Sequence, residues 1–323
     1  MTAWLVRRLA AGAAILWAVI TLTFVAVHAA PGDPFLPGSD RPTDPAVVAE
    51  LRRQFGLDRP VVEQYFRYLG QVARGNLGVS FTQRRPVAAA LAGAVPQTLL
   101  LAGAALAIDF LLGIALGAVM AARAGRASDM ALTTVTLLVG AMPVFWVGLV
   151  LLLVFGEWLH WLPLGGAYDP ALYGALSPAA QLGDRLRHLA LPALTLGLVG
   201  AGWTARYQRA AVLDALSQDW VRTARAKGAG EGRVLRRHAL RPALLPTVTL
   251  FGLSFPFLLT GAVLVEAVFS WPGMGRLAAD AVAARDYPLV TATAIAASGM
   301  VVLGSIVADL LATAVDPRIR LEA

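Results

Sequence analysis

The chain has no cysteine and four histidines in 323 residues, which excludes disulfides, thiolate metal sites and thiol nucleophiles and leaves little for a zinc site. Charge is scarce at 15%, and Lys227 is the single lysine. No HExxH, G-x-S-x-G or phosphate-binding-loop pattern occurs; the one Lys-Gly pair, Lys227-Gly228, has that loop's order reversed. No nucleophile–base pair is evident, so a membrane-embedded hydrolase is not indicated. No internal repeat is visible either, which weighs against carriers built from inverted repeats. Uphill movement of a solute would need energy from a partner or from an ion gradient.

What fills the chain is apolar: 58% hydrophobic residues and a mean hydropathy of +0.66, values of an integral membrane protein. Crossing a hydrocarbon core of about 30 Å takes about 20 apolar residues. Six segments qualify, near 9–29, 97–121, 130–155, 188–206, 243–265 and 288–312. The fourth is the weakest, interrupted by His188, Pro192, Trp203 and Arg206. The expected fold is all-α with six transmembrane helices. The first apolar run is long for a secretory signal and Pro31 disfavours cleavage near Ala29, so it reads as a retained span.

The net charge of +7 is concentrated beside the spans, favouring membrane lipid over nucleic acid as a partner. Arg7 and Arg8 precede the first span, and Arg123 and Arg126 separate the second from the third. Loop 207–242 carries Arg209, Arg222, Arg225, Lys227, Arg233, Arg236, Arg237 and Arg241 against Asp214, Asp219 and Glu231. The excess of cations on inner loops places both termini and this loop in the cytoplasm.

The organisation expected is an N-terminal span (1–30), an extracytoplasmic helical insert (31–95), a five-helix core (96–313) containing loop 207–242, and a cytoplasmic tail (314–323). Within the insert, Asp44-Pro45 and Gly56 bracket one helix. Pro60 and Gly75 bracket a second, with Val62, Tyr65, Phe66, Leu69 and Val72 on one face. Together they read as an amphipathic hairpin.

The most specific segment is Asp219-Trp220-Val221-Arg222-Thr223-Ala224-Arg225-Ala226-Lys227-Gly228. Asp219 is placed to N-cap a two-turn helix, Gly228 to end it in a left-handed conformation, and Arg225 and Lys227 to complement its negative end. Trp220, Ala224 and Gly228 fall at i, i+4 and i+8, leaving a nearly bare face that another backbone or subunit can approach. So short a helix needs tertiary contacts to persist.

Two carboxylates lie within spans. Asp109, mid-span, reads either as a proton relay or substrate partner, or as a hydrogen-bonded structural group. Asp309 reads as an interfacial partner for nearby arginines. Glu157 and Glu266 fall at outer boundaries and read as solvated. Gly113 and Gly117 form a small-xxx-small packing pair.

These strings in their order resemble the inner-membrane permease subunits of ABC importers, of the dipeptide/oligopeptide/nickel branch. The resemblance rests on Pro31-Gly32-Asp33-Pro34, Gly75-Asn76-Leu77-Gly78-Val79-Ser80, Pro96-Gln97-Thr98-Leu99, Met142-Pro143-Val144-Phe145-Trp146-Val147-Gly148-Leu149 and Leu191-Pro192-Ala193-Leu194-Thr195-Leu196. It continues through Trp220–Gly228, Arg237–Pro246, Phe269–Leu277, Arg285-Asp286-Tyr287-Pro288 and Asp316-Pro317-Arg318-Ile319-Arg320.

The resemblance implies a type I importer permease fold and the first permease of a pair. It also implies a second permease subunit, two ATP-binding subunits that hold ATP and magnesium, and an extracytoplasmic solute-binding protein. This chain then needs no cofactor and is no enzyme. Residues 219–228 become the helix seated in a groove of the ATPase subunit, with Arg222-Thr223-Ala224 replacing the family's Glu-Ala-Ala. Trp271, Pro272, Gly273, Arg276, Asp286 and Tyr287 become part of the outer rim met by the binding protein. Peptides are the branch's default cargo, and the location implied is a bacterial inner membrane. The other function class is a stand-alone proton-coupled carrier working through Asp109.

Overall fold

In a computed structural model of the chain, described for residues 2–30, 50, 52–53 and 56–315, ten α-helices are named here. They are α1 (Thr2–Ala29), α2 (Val61–Ala73), α3 (Val87–Ala122), α4 (Ala127–Ala141), α5 (Val144–Leu151), α6 (Pro178–Leu216), α7 (Asp219–Ala226), α8 (Leu240–Val268), α9 (Met274–Ala283) and α10 (Tyr287–Val315). Two π-helical segments, Leu152–Trp158 and Val234–Ala239, extend α5 and precede α8. Among the described residues there is no strand beyond one isolated bridge, Val79 to Pro86.

Four helices are long and apolar enough to cross a membrane: Trp4–Ala29, Val87–Ala122, Pro178–Leu216 and Tyr287–Leu310. The expected span at 130–155 is not one straight helix. α4 and the α5–π segment meet at 104°, and counting them as one broken span gives five. Pro143 supplies no N–H, and Met142 before it is held extended (φ −74°, ψ 142°), as a residue preceding proline must be. The span expected at 243–265 lies in α8, where residues 251–261 have side chains outside the described set. The expected count of six is therefore four or five among the described residues.

Other ends also moved. α3 begins ten residues before its expected apolar run and carries Pro96 inside it. α6 begins at Pro178, where Ser177 accepts from the Ala180 amide and proline occupies the first helical turn. It is the least hydropathic of the four long helices and the most buried. Its weak apolar signal follows from packing on protein rather than lipid.

The described residues divide into two compact units. One comprises Thr98–Pro272 and the segment from Leu303. Its core gathers Leu101, Ala105, Leu191, Leu196, Val265 and Phe269. Here α3 and α6 approach closely: a Cβ on Gly113 would lie 2.5 Å from Thr204 Cβ, and one on Gly117 would lie 2.5 Å from the Ala205 carbonyl oxygen. The small-xxx-small pair is thus a helix contact.

The other unit comprises Thr2–Gln97 and Gly273–Val302, with Val87, Ala90, Leu91, Met274, Leu289 and Ala292 at its centre. α2 follows its expected boundaries, from Pro60 to a C-cap at Arg74 with Gly75 at φ +77°. α2 is fastened to α1 by the Thr21–Tyr65 hydroxyl bond (2.7 Å) and by His28 with Gln64 (3.1 Å). Val62 and Phe66 stay exposed while Tyr65, Leu69 and Val72 turn inward. The insert's first expected helix, and the motifs at Pro31–Pro34 and Asp316–Arg320, lie outside the described residues.

Candidate functional site: the basic loop and the buried carboxylates

Helix α7 occupies the expected residues, but its N-cap is Gln218, not Asp219. The Gln218 carbonyl accepts from the Val221 and Arg222 amides at 3.0 and 3.4 Å. Asp219 falls one position inside the helix, where its side chain is 93% exposed and pairs with Arg222 at 3.3 Å. It still places negative charge at the positive helix end. The other terminus is as expected: Gly228 has φ +80°, its amide donates to the Arg225 carbonyl (2.9 Å), and the Ala229 amide reaches the Ala224 carbonyl (3.1 Å). Those two bonds form a Schellman motif.

The bare face is only partly bare. α7 packs on the π-helical segment Val234–Ala239, burying Val221 and Ala224. Ala224 is therefore covered by the chain itself, whereas Trp220 and Gly228 remain exposed. The indole N–H of Trp220 donates to the His238 carbonyl at 3.2 Å. Arg225 does more than face the helix end, since its guanidinium grips Glu231 with two bonds of 2.8 and 3.1 Å. That contact holds the Glu231 carboxyl below its ordinary range. A carboxyl so lowered keeps its pairing above its unfolded pKa and loses it as pH falls through the folded value, so the clasp is closed at neutral pH.

Arg209, expected as one more loop cation, is instead engaged inside the fold. Its Nε and Nη2 donate to Asp129 Oδ1 and Oδ2 at 2.8 and 2.7 Å, and the Gly125 amide adds a third bond at 3.0 Å. Asp129 is 4% exposed, so the pair ties the α3–α4 turn to α6. An aspartate alone in a stretch otherwise carrying arginines was the available signal. Asp129→Ala should lower stability in denaturation of the detergent-solubilised protein more than an exposed substitution does, but less than breaking a fully buried pair, because Arg209 keeps some solvent.

Asp109 is buried between α3 and α6, where the Thr204 hydroxyl donates to it at 2.6 Å. A Cβ on Gly200 would lie 2.4 Å from its other oxygen, so that glycine makes room for the carboxylate. Glu266, expected in solvent, is fully buried and accepts from Thr98 at 2.6 Å. Asp309 is half-buried, its carbonyl taken by the Thr313 hydroxyl. The arginines expected beside it, Arg318 and Arg320, lie outside the described residues.

Residues 113–321 match the binding-protein-dependent transport system inner membrane components, and residues 1–102 match the N-terminal family of such membrane components. The chain belongs to this family. It is an inner-membrane permease of an ABC importer, and not an enzyme. The permease is 38% identical to oligopeptide transport system permease protein AppB of Bacillus subtilis (strain 168), over 99% of both chains. It is 39% identical to di/tripeptide transport system permease protein DppB of Pseudomonas aeruginosa (strain UCBPP-PA14), again over 99% of each. Among solved structures, the inward-facing MetNI methionine ABC transporter superposes with a TM-score of 0.52 at 18% identity. That match covers 70% of this chain and 95% of the other, and identifies the type I importer permease fold.

Of the six residues expected at an outer rim, this permease buries three. Trp271 is 1% exposed in the first unit's core, its amide bonded to the Glu266 carbonyl, while Pro272 is exposed. In the second unit Gly273 and Asp286 are buried, and Arg276 and Tyr287 half-buried. Asp286 has no exposure at all. Its Oδ2 accepts from Ser80 Oγ (2.5 Å), the Thr82 amide (3.0 Å) and Thr82 Oγ1 (2.8 Å), and its Oδ1 from the Leu289 amide (3.3 Å). It caps α10 and clamps the 76–86 loop, so the Gly75–Ser80 and Arg285–Pro288 motifs meet. Of the six, Asp286 cannot present its carboxylate to a binding protein.

Proposed function

We propose that this permease pairs with a second, similar permease to form a pathway for di- or oligopeptides delivered by an extracytoplasmic solute-binding protein. Two ATP-hydrolysing subunits, holding ATP and magnesium, supply the work. The full-length likeness to two permeases whose names specify peptides carries the substrate class. The first position in the pair and cytoplasmic termini follow from the resemblance and from the arginine distribution.

In this reading ATP binding closes the ATPase subunits, whose grooves carry α7 inward, and the permease pair opens toward the docked binding protein. The surface offered to an ATPase groove is the exposed set Asp219, Arg222, Thr223 and Lys227, ended by Gly228, while Trp220 and Arg225 are engaged with His238 and Glu231 of the same chain. Pro272, Arg276 and Tyr287 are the residues left to contribute to an outer rim. A proton-coupled carrier acting through Asp109 is the weaker reading, because Thr204 and the close α3–α6 contact account for that carboxylate.

Gly228→Asp should reduce peptide uptake per ATP hydrolysed in proteoliposomes holding the whole importer. A Cβ at Gly228 meets nothing within 4 Å, so the cost comes from the left-handed backbone and from negative charge at the helix's negative end. Gly230→Asp, at ordinary φ in a helix N-cap, is the control that should leave uptake unchanged. Equal behaviour of the two variants would count against docking at α7. The substrate is tested by uptake of labelled di- and tripeptides against free amino acids; selectivity for the amino acids contradicts the peptide assignment.

A further inference from the structure

We propose that Trp220 is a positioning residue for transport. Its indole N–H, bonded to the His238 carbonyl, seats α7 on the π-helical base of α8, so that a displacement of α7 is delivered to α8 as one rigid piece. This deepens the docking reading above and rests on it.

Three kinds of contact join α7 to the segment leading into α8. The Trp220–His238 bond spans 18 residues at 3.2 Å. The Arg225–Glu231 fork closes the far end of α7 onto the same segment. Between them α7 buries Val221 and Ala224 where it packs on the π-helical segment, in which Val234 is also buried. A π turn inserts one residue into the helical ladder and alters its carbonyl pairing, a feature frequent at functional sites. Here the carbonyl of His238 is met by an indole from α7. From α6, by contrast, α7 is separated by Ser217-Gln218, where the chain turns extended at Gln218 (φ −77°, ψ 153°). The π-helical segment also packs on the end of α6, burying Ala239 with Val212 and Ala215, so Trp220 ties α7 to a base that α6 supports as well.

Trp220→Phe keeps the aromatic packing and removes only the donor, and the test uses the complete importer in proteoliposomes. The ATPase subunits should still co-purify with this variant, while peptide uptake per ATP hydrolysed falls about threefold to fivefold, the scale of one lost hydrogen bond. Wild-type uptake per ATP in Trp220→Phe overturns the lever and leaves the docking reading intact. The chain lacks cysteine, so Arg225→Cys with Glu231→Cys gives it its only two thiols, which a short thiol-reactive cross-linker can bridge. A rigid joint keeps transporting when bridged; arrest on bridging shows that α7 slides on the α8 base and overturns the proposal. Arg222→Cys, on the exposed face, should cross-link to the ATPase subunit in the same complex. Its failure to do so strikes the docking reading and the lever with it.

Discussion

Asp286→Ala is expected to lower the melting temperature of the detergent-solubilised protein by roughly 4–7 °C, from a loss of about 3–5 kcal/mol. Alanine removes the acceptor of four hydrogen bonds at a site with no exposure and leaves the Ser80 hydroxyl, the Thr82 amide and hydroxyl and the Leu289 amide to find other partners. A buried donor stripped of its acceptor costs about 1–3 kcal/mol, and a charged acceptor raises the figure. The α10 N-cap is lost in the same change. Asp286→Asn keeps an acceptor oxygen and should fall between the two. A thermal scan of both variants decides. A shift for the alanine variant no larger than for an exposed substitution such as Asp219→Ala would mean the 76–86 loop is not held by this carboxylate.

The second large effect is expected at the α3–α6 contact. Gly117→Ala puts a Cβ 2.5 Å from the Ala205 carbonyl oxygen and 3.0 Å from the Arg209 amide. Both neighbours are backbone and cannot rotate away, so the helices must separate. Overpacking of this kind costs about 3 kcal/mol, the upper part of the usual range. The displacement also reaches Arg209 itself and so strains its fork with Asp129. Folded yield after size-exclusion chromatography should drop sharply. Gly103→Ala, on the same helix with nothing within 4 Å of its Cβ, should leave stability unchanged or raise it by up to about 1 kcal/mol. Equal yields for the two would contradict the close crossing.

How much of this was legible in the sequence depended on the range of the interaction. The boundaries of α2 at Pro60 and Gly75, and the Gly228 terminus of α7, come from backbone rules acting within a few residues, and they hold. The small-xxx-small pair in α3 was read as a packing surface, and the structure supplies the partner helix. The Asp219 N-cap was missed by one position, because a carbonyl from Gln218 opens the helix where a carboxylate was expected. Pro143 falls inside the span expected at 130–155, but a proline says only where a helix can bend, and the neighbouring packing sets the 104° break.

The carboxylates were harder. Glu266 and Asp286 sit in segments whose composition suggests an exposed boundary, yet both are fully buried. Their partners, Thr98 and Ser80 with Thr82, lie about 170 to 200 residues away, and no local pattern announces such pairings. Arg209 was counted with the loop's cations for the same reason, its partner being on another helix. The general role was readable because family motifs mark many positions in order, whereas the burial of single residues such as Trp271 and Asp286 depends on partners no motif names.

Uptake of a labelled tripeptide into proteoliposomes, with this chain reconstituted alone or with its second permease, ATPase subunits and binding protein, tests the central claim most directly. The account predicts accumulation in the complete assembly only, stopping when ATP or the binding protein is withheld and indifferent to a proton gradient. Accumulation by the single chain under an inward proton gradient, without ATP, would contradict it.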